Sequence, residues 1–432
     1  MRLPLFKLAW LAALLCLASC ATPVFHSTHE PVPLLLISID GLRVDYLGQG
    51  DTPNLDRLAR EGVRAEWMNP SYPALTFPNH FTLVTGLRPD HHGVVHNSMR
   101  EDGLGAFRVA DLAAVGDGRW WRAEPIWIGA EKAGMRTAIW AWPGGAAEID
   151  GVRPTRWVPY DPAISAASRV DEVLRWLQEP PATRPRFAAL YLEQVDNAGH
   201  DFGPDAPQAR AALLVADAAI GRLLHALEHS ELAGRVNLIV VSDHGMATVA
   251  PGQVIDVEDM VPMADAAVIS VGQSVGIAPR EGRTPATEQR LLGRHDHYQC
   301  WRKGELPPQW HYGTNPRVPP IICQMDEGWD ALPAATISRR TPGATRGSHG
   351  YDPALPSMRA TFIARGPAFR KGVLIPAFDN VDVYPLLTRL LGIPTRTNDG
   401  DITPLLPALE AAEQVTPLSL PPARADGPVI QG

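Results

Sequence analysis

The sequence is poor in cysteine, in positive charge and in internal repetition. Only 4 of its 432 residues are cysteine, and none stands in the Cys-x-x-Cys spacing of a cysteine-based metal site. A formal net charge of -8 argues against a broad basic groove for duplex DNA or RNA, so any phosphate chemistry must be local. No repeat at a solenoid period is evident. The remaining composition, 45% hydrophobic and 20% charged, suffices to bury one large core.

The N-terminus has the layout of an export signal. Two positive residues precede an apolar run from Leu8 to Leu17, which is too short to span a membrane as a helix. We therefore expect residues 1–19 to be a signal peptide. The Leu-Ala-Ser-Cys sequence that ends at Cys20 resembles the bacterial lipoprotein box, so Cys20 is the expected lipidation site and residues 20–33 a linker. Alternatively, cleavage of an ordinary signal peptide near Cys20, without lipidation, would give a free periplasmic or secreted protein.

Removal of the signal leaves two cysteines that carry no lipid, Cys300 and Cys323. In the oxidising compartment that an export signal implies, an isolated pair is more often a disulfide than a metal site or a nucleophile. We expect a disulfide that staples an irregular segment.

Continuous apolar runs alternate with helical patterns along most of the chain. Such runs are typical of strands buried on both faces of a parallel sheet. The alternation predicts an α/β fold with a doubly wound, mostly parallel sheet and helices on both faces. The predicted strands are 34–39, 136–141, 187–192, 236–241 and 360–364, and the predicted helices are 54–61, 168–178 and 209–228.

The pattern changes between about residues 251 and 340, where prolines, tryptophans and short strand-like pieces replace the alternation. We interpret this region as an insert that caps the sheet of a catalytic domain spanning 34–403. The insert contains His295, His297 and His311, which we expect to be loop or surface histidines. Residues 404–432 are rich in Pro and Ala and are expected to form a peripheral tail.

The stretch from Ser71 to His80 places a hydroxyl, Thr76, where a helix is expected to begin, with Pro78 in its first turn and Gly86 at its end. Threonine at a helix start usually caps backbone N–H groups. The same position also directs free amides and a positive dipole end toward an anion, so Thr76 is alternatively a nucleophile that faces a phosphate.

Acidic residues follow three of the predicted strands, and histidines stand close to them. Since the carboxyl ends of parallel strands meet at one crevice, these side chains should converge. Carboxylate oxygens and imidazole nitrogens together are ligands that zinc accepts. The set contains enough ligands for two metal ions and comprises Asp40, Asp196, Asp243, His200, His244 and His349.

These motifs and their order resemble the nucleotide pyrophosphatase/phosphodiesterase family of the alkaline phosphatase superfamily, from about Leu34 to about Gly392. The matched segments are Ile39-Asp40-Gly41, Thr76-Phe77-Pro78-Asn79-His80, His96-Asn97, Asp196-Asn197-Ala198-Gly199-His200, Ser242-Asp243-His244-Gly245-Met246 and His349-Gly350-Tyr351. The resemblance implies an alkaline-phosphatase-like fold with two Zn²⁺ per chain. It assigns one zinc to Asp40, Thr76, Asp243 and His244, and the other to Asp196, His200 and His349. It also places Asn97 against a non-bridging phosphate oxygen.

The implied reaction is attack by a metal-activated Thr76 on phosphorus, followed by hydrolysis of a threonyl-phosphate ester. Two Zn²⁺, three carboxylates and an ionised Thr76 nearly cancel in charge, so a singly charged diester suits the site better than a monoester. Arg100 stands three residues after Asn97 and leaves room for a monoesterase side activity.

Two aromatic residues indicate the kind of substrate that the site would bind. Phe77 follows the nucleophile, and Tyr160 resembles the family's second base-stacking residue, so both are expected to bind a nucleobase. The alternative is that both are ordinary aromatic residues of the core or of the cavity rim. Gly145-Ala146 departs from the family's usual acidic or serine continuation. We expect a small nucleotide or phosphodiester substrate that yields a nucleoside monophosphate. The alternatives are a phosphocholine-type head-group diesterase, which a membrane anchor would suit, and a surface-binding protein without turnover.

Overall fold

The computed structural model describes residues 32–411, and this part of the chain forms an α/β fold around one large mixed sheet. The predicted signal peptide, Cys20 and most of the linker lie outside the described residues, as does the tail from residue 412. Among residues 32–411, no helix has the length and apolar character needed to cross a membrane.

The strands of the described residues are numbered in chain order. They are β1 Leu34–Ile39, β2 Val63–Ala65, β3 Met68–Asn69, β4 Ser98–Glu101, β5 Gly105–Arg108, β6 Thr137–Trp140, β7 Arg156–Val158, β8 Phe187–Leu192, β9 Asn237–Val241, β10 Ala247–Val249, β11 Val254–Asp256, β12 Ala266–Ser270, β13 Ser274–Pro279, β14 Gly293–His295, β15 Tyr298–Arg302, β16 Ile321–Met325, β17 Asp330–Leu332, β18 Arg346–Ser348, β19 Phe362–Arg365, β20 Val373–Ile375 and β21 Phe378–Asp379.

The α-helices of the same part of the chain follow the same convention. They are α1 Pro53–Glu61, α2 Thr76–Thr85, α3 Pro89–His92, α4 Leu112–Val115, α5 Ile126–Lys132, α6 Ala166–Leu177, α7 Gln194–Phe202, α8 Pro207–Glu228, α9 Val257–Met260, α10 Thr284–Leu291, α11 Ala334–Ile337 and α12 Val383–Leu391.

The main sheet has eight strands in the order β20-β2-β19-β9-β1-β8-β6-β7. β1 pairs in parallel with β8 and β9, and Ile39 lies opposite Leu192, so these strands end at one edge. β19 runs antiparallel to both of its neighbours. The fold prediction of a mostly parallel, doubly wound sheet is confirmed, and the five predicted strands match β1, β6, β8, β9 and β19 to within two residues.

Both faces of the sheet are covered. Leu34 and Leu36 of β1 belong to one buried hydrophobic cluster, whereas Leu35, Ile37 and Ile39 belong to the other. Alternate residues of a strand point to opposite faces, so a strand covered on both sides must be almost continuously apolar. This explains why β1 could be recognised from its apolar run alone.

The region from 251 to 340 is more regular than its composition suggests. It contains a five-stranded antiparallel sheet in the order β12-β13-β16-β15-β14. The predicted disulfide between Cys300 and Cys323 is present and joins directly opposed residues of β15 and β16. The expectation that it staples an irregular segment is wrong, because hydrogen bonds between adjacent strands already order both cysteines.

The boundary of the predicted tail also needs correction. Residues 403–408 form a 3₁₀-helix, and Leu405, Ala408 and Leu409 are fully buried in the main core. Proline and alanine indicated a peripheral segment, but the leucines among them supply apolar surface that the core takes up. The main hydrophobic core therefore continues at least to Leu409.

Candidate active site and metal centre

The predicted ligands converge at the carboxyl edge of the main sheet. Asp40 directly follows β1, Asp243 lies two residues after β9, and Asp196 lies in the first turn of α7, which begins shortly after β8. His349 follows β18, which pairs with β10 and is thereby held next to the Asp243-His244 turn. Strand pairing thus brings together residues more than 300 positions apart.

Three overlapping groups of side chains offer ligand atoms within 4.8 Å of one another. They are Asp196, His200 and His349; Asp40, Asp196 and His244; and Asp40, His80 and Asp243. The first group is the predicted second metal site. The predicted first site, Asp40 with Asp243 and His244, is divided between the other two groups, and Asp40 belongs to both.

Thr76 is the first residue of α2 and lies beside these groups. Its hydroxyl oxygen is 3.3 Å from Nε2 of His244. The N-cap position belongs to Leu75, and no side chain caps this helix. The capping alternative for Thr76 is therefore wrong, and its hydroxyl is directed toward the ligand cluster.

Buried carboxylate oxygens without hydrogen-bond partners provide a test of whether these residues fit a metal. Oδ1 of Asp40 and Oδ1 of Asp196 are buried and lack a hydrogen-bond partner, whereas the buried Oδ2 of Asp243 lies 2.8 Å from Nε2 of His244. Leaving a buried charge unpaired is costly, and bound cations are a usual way to compensate it. The donor set therefore fits a divalent cation.

The three predicted histidine ligands share one arrangement. Nδ1 of His200, His244 and His349 lies 2.9 Å from the backbone carbonyl oxygens of Gly347, Gly245 and Ala74, respectively. A proton on Nδ1 would donate to each carbonyl and leave Nε2 as the free ligand atom. This is the arrangement by which metal-binding histidines are usually oriented.

His80 belongs to one geometric group but differs from these three histidines. Its Nδ1 lies 2.8 Å from the carbonyl oxygen of Thr76, and its Nε2 lies 2.8 Å from Oγ of Ser38. Because both nitrogens already have partners, we interpret His80 as a support for Asp243, whose Oδ2 lies 3.4 Å from Nδ1. The sequence showed His80 at the end of the Thr76 motif but assigned it no role.

The electrostatics of the cluster reflect crowded negative charge. Burial, with the neighbouring carboxylates of Asp243 and Asp196, raises the pKa of Asp40 well above its usual range. Burial would also raise the pKa of Asp243, but the rings of His244 and His80 outweigh it and hold that pKa well below its usual range. Such opposed shifts among adjacent carboxylates are typical of functional sites.

Burial, reinforced by His244 and His200, lowers the pKa of His349 well below its usual range. The ring is therefore neutral at ordinary pH, as a metal ligand must be. Tyr191, which sequence reasoning missed, donates its hydroxyl hydrogen to Oδ2 of Asp40 over 2.5 Å and orients that carboxylate. The only sequence feature that could have indicated this role is the position of Tyr191 in β8, one residue before the strand ends.

A cavity of about 320 Å³ opens in front of Thr76. Its lining includes Asp40, Asp196, His200 and His349 of the ligand cluster, which we call the metal end, and Phe77, Tyr160 and the aliphatic side chains of Val109, Leu112 and Val115, which we call the organic end. Asn97 also lines the cavity, and its Oδ1 accepts a hydrogen bond of 3.0 Å from the backbone N–H of Phe77. This leaves the NH₂ group of Asn97 as the donor it can offer to a ligand.

Other residues discussed from the sequence lie away from the cavity. His297 and His311 are exposed and His295 is half-buried, and none of the three belongs to a metal-ligand group among residues 32–411. His297 and His311 are thus surface histidines as expected, whereas the expectation is wrong for His295, which is the last residue of strand β14. Arg100 is exposed on β4 and lines a separate groove. Ala146, where the chain departs from the family pattern, does line the cavity.

Comparison with known proteins agrees with this arrangement. Residues 34–352 match the family model described as type I phosphodiesterase / nucleotide pyrophosphatase. The chain is 35% identical over 397 residues to a bis(5'-adenosyl)-triphosphatase of Xenopus laevis, covering 91% of this chain and 84% of the relative. It is 33% identical over 431 residues to human ectonucleotide pyrophosphatase/phosphodiesterase family member 7, and the match covers 96% of this chain and 92% of the human protein.

A solved structure extends the likeness to the fold. Murine ectonucleotide pyrophosphatase/phosphodiesterase 5, determined as an inactive variant in complex with AMP, superposes with a TM-score of 0.82 at 33% identity. The match covers 88% of this chain and all of the murine chain. The chain therefore belongs to the type I phosphodiesterase / nucleotide pyrophosphatase family.

Proposed function

We propose that this protein is a two-zinc phosphodiesterase that hydrolyses nucleotide phosphodiester or phosphoanhydride bonds and releases a nucleoside monophosphate. The observation that carries the proposal is the cluster of buried carboxylates of Asp40, Asp196 and Asp243 around His244, whose Nε2 lies 3.3 Å from the hydroxyl of Thr76, beside a cavity that Phe77 and Tyr160 also line.

The proposed metal ligands follow the two parts of the cluster. Asp40, Asp243 and His244 would hold one ion together with Thr76, and Asp196, His200 and His349 would hold the other. Nitrogen and oxygen donors of this kind suit zinc. Bound divalent cations would supply the positive charge that stabilises an ionised threonine hydroxyl and the charge on the reacting phosphate.

The chain's own residues then have defined tasks. Oγ1 of Thr76 forms the bond to phosphorus as the bond to the leaving oxygen breaks, which gives a threonyl-phosphate ester. Water attacks this ester, releases the nucleoside monophosphate and regenerates the hydroxyl. The NH₂ group of Asn97 donates to a non-bridging phosphate oxygen and helps to hold the phosphate in line with Thr76.

The charge of the cavity favours diesters over monoesters. Among the described residues that line it, none is lysine or arginine. A monoester carries nearly one more negative charge than a diester, and phosphatases usually meet that charge with a cationic side chain. Arg100, which the sequence left available for this role, lies in another groove.

The walls of the cavity favour a nucleotide over a cationic head group. Phe77 and Tyr160 both line it and offer aromatic faces on which a base can stack. The carboxylates in the lining are Asp40 and Asp196, both assigned to metal, so no further acid among the lining residues is available for choline. The AMP in the murine relative and the diadenosine substrate in the name of the frog relative also support nucleotides.

We further propose that the protein is exported and anchored by lipid at Cys20, as a bacterial periplasmic or membrane-anchored lipoprotein. The disulfide between Cys300 and Cys323 supports an oxidising compartment. The name ectonucleotide pyrophosphatase/phosphodiesterase, which the human relative carries, also fits an enzyme outside the cytoplasm. Mass spectrometry of the mature N-terminus would detect both the cleavage of residues 1–19 and the lipid attached to Cys20.

The test of the proposed function compares three chromogenic esters with one enzyme preparation. These are p-nitrophenyl thymidine 5'-monophosphate, p-nitrophenyl phosphate and p-nitrophenyl phosphocholine, each with the zinc-loaded and the chelator-treated protein. We expect kcat/KM for the nucleotide diester to exceed that for the monoester by about a hundredfold, given the missing cation. Preference for the monoester, or undiminished turnover after complete demetallation, would contradict the proposal.

A further inference from the structure

A fully buried arginine lies behind the aromatic wall of the cavity. Arg169 on α6 is 0% exposed, although arginine is rarely buried completely unless its donors are satisfied. Its guanidinium group makes five hydrogen bonds, the full number that its five N–H groups allow. A residue so completely bonded fixes whatever it contacts.

The contacts of Arg169 connect parts of the active site that are distant in sequence. Nε donates to the carbonyl oxygen of Ile164 over 2.9 Å, and Nη2 donates to that of Asp161 over 3.1 Å. These two carbonyls belong to the loop that follows Tyr160. The guanidinium carbon also lies 5.9 Å from the centre of the Tyr160 ring.

The remaining hydrogen bonds of Arg169 go to Tyr191 and Glu193, which are next to the metal-ligand residues. Nη1 donates to the carbonyl oxygen of Tyr191 over 3.1 Å, and Tyr191 is the residue whose hydroxyl holds Asp40. Both terminal nitrogens bind the carboxylate of Glu193, which directly precedes the helix carrying Asp196. Glu193 is itself only 4% exposed, so the ion pair is buried on both sides.

The chemistry of this position requires arginine. The planar guanidinium group can bind a carboxylate in bidentate fashion while it donates to carbonyls on its remaining edge. A lysine has the same charge but only three donors at a single point. Lysine at this position would therefore satisfy Glu193 and release the Asp161 and Ile164 carbonyls.

This inference rests on the proposed function. We propose that Arg169, paired with Glu193, is a positioning residue that fixes the loop carrying Tyr160 relative to α7, the helix that carries Asp196 and His200. It thereby sets the affinity for the organic group of the substrate. Arg169 does not line the cavity and acts only through the groups that it holds. Loss of its bonds to the loop should weaken nucleotide binding while the reaction centre keeps its geometry.

The test uses the full-length, zinc-loaded enzyme and two diesters that differ in what they place against Tyr160. p-Nitrophenyl thymidine 5'-monophosphate presents a nucleoside, whereas methyl p-nitrophenyl phosphate presents only a methyl group. For Arg169→Lys we expect KM for the nucleotide, and the Kd of AMP measured by calorimetry, to rise about tenfold because the wall is no longer fixed. We expect kcat/KM for the methyl ester to stay within about threefold and the zinc content to be unchanged.

Two comparisons separate this role from a general effect on folding. In Tyr160→Ala enzyme, Arg169→Lys should change nucleotide KM by less than about twofold, because residues that act through one another are not additive. Arg175→Lys is the matched control, since Arg175 lies on the same helix with a side chain 69% exposed. It should change neither substrate's kinetics.

Equal loss on both diesters, loss of zinc, or additive effects with Tyr160→Ala would overturn the proposal. If Arg169→Lys does not fold, Arg169→Gln, which keeps an amide donor for Glu193 but loses the bonds to the Asp161 and Ile164 carbonyls, should give the same selective rise in nucleotide KM, and failure of both variants to fold would make Arg169 a folding element only. Wild-type enzyme without activity on the nucleotide diester would contradict the proposed function. The AMP affinities of the wild type and Arg169→Lys would still decide the role of Arg169.

Discussion

The two ends of the cavity are constructed differently. At the metal end, Asp40, Asp243, His244 and His349 are each at most 4% exposed and lie at or near the ends of strands in or beside the main sheet. At the organic end, Leu112 is 59% exposed on a four-residue helix, and Tyr160 lies in a loop. Apart from His200, whose side chain is 37% exposed, the metal ligands are thus held by the core, whereas the Tyr160 loop is held by a few specific contacts such as those of Arg169.

This difference indicates which substitutions should change which kinetic constant. A ligand held by the core can be removed only with loss of the chemistry, because nothing else occupies its place. A wall held by a few contacts can shift, which changes binding before it changes catalysis. Single substitutions at the two ends of the cavity can test this division between effects on catalysis and effects on binding.

Thr76→Ala should reduce kcat on p-nitrophenyl thymidine 5'-monophosphate by at least about a thousandfold, since it removes the atom that attacks phosphorus. The zinc content and the Kd of AMP should stay close to wild type, because the other ligands and the aromatic wall remain. Single-turnover kinetics and elemental analysis measure these effects. Residual activity above a tenth of wild type would place the nucleophile elsewhere.

His349→Ala should lower the zinc content and reduce kcat/KM by about a hundredfold or more, because even partners that only orient ligands cost about 10- to 100-fold when lost. His295→Ala is the matched control, since His295 is half-buried in the insert and belongs to no ligand group among residues 32–411. It should retain full metal content. Equal metal loss in both variants would remove the support for the assigned site.

Tyr160→Ala should raise KM for the nucleotide diester about tenfold with little change in kcat, because stacking on an aromatic ring contributes about 1–3 kcal/mol per base. Tyr160→Phe retains the ring and should behave like wild type with respect to stacking. Steady-state kinetics on the nucleotide and on methyl p-nitrophenyl phosphate distinguish a loss of nucleotide binding from a loss of catalysis. A fall in kcat on both esters would show that Tyr160 supports the metal end as well.

Arg100→Ala should have the smallest effect, less than about twofold on either p-nitrophenyl phosphate or the nucleotide diester, because surface residues outside a site contribute little. Arg100 is exposed and lies in a different groove from Thr76. The ratio of monoester to diester turnover is the measurement. A selective loss of monoester turnover would bring Arg100 into the reaction and restore the side activity that the sequence left open.

Much of the molecule could be predicted from the sequence, for identifiable reasons. β1 and β9 are almost continuously apolar because both faces of the sheet are covered, and an apolar run of this length is typical of a buried parallel strand. The five-stranded sheet of the insert was not predicted, because strands such as β12, β14 and β15 are partly exposed and lack a continuous apolar run. The tail was misjudged because proline and alanine dominate its composition, whereas Leu405 and Leu409 determine its packing.

The sequence by itself determined the fold class, the family resemblance and the identity of the candidate ligands, because these depend on local patterns and on short motifs at strand ends. The tertiary structure decided that Thr76 faces the cluster instead of capping its helix, and that His80 and Tyr191 support Asp243 and Asp40. It also decided that Arg169 connects the two ends of the cavity. These relations join residues far apart in the chain, and only strand pairing and packing bring them into contact.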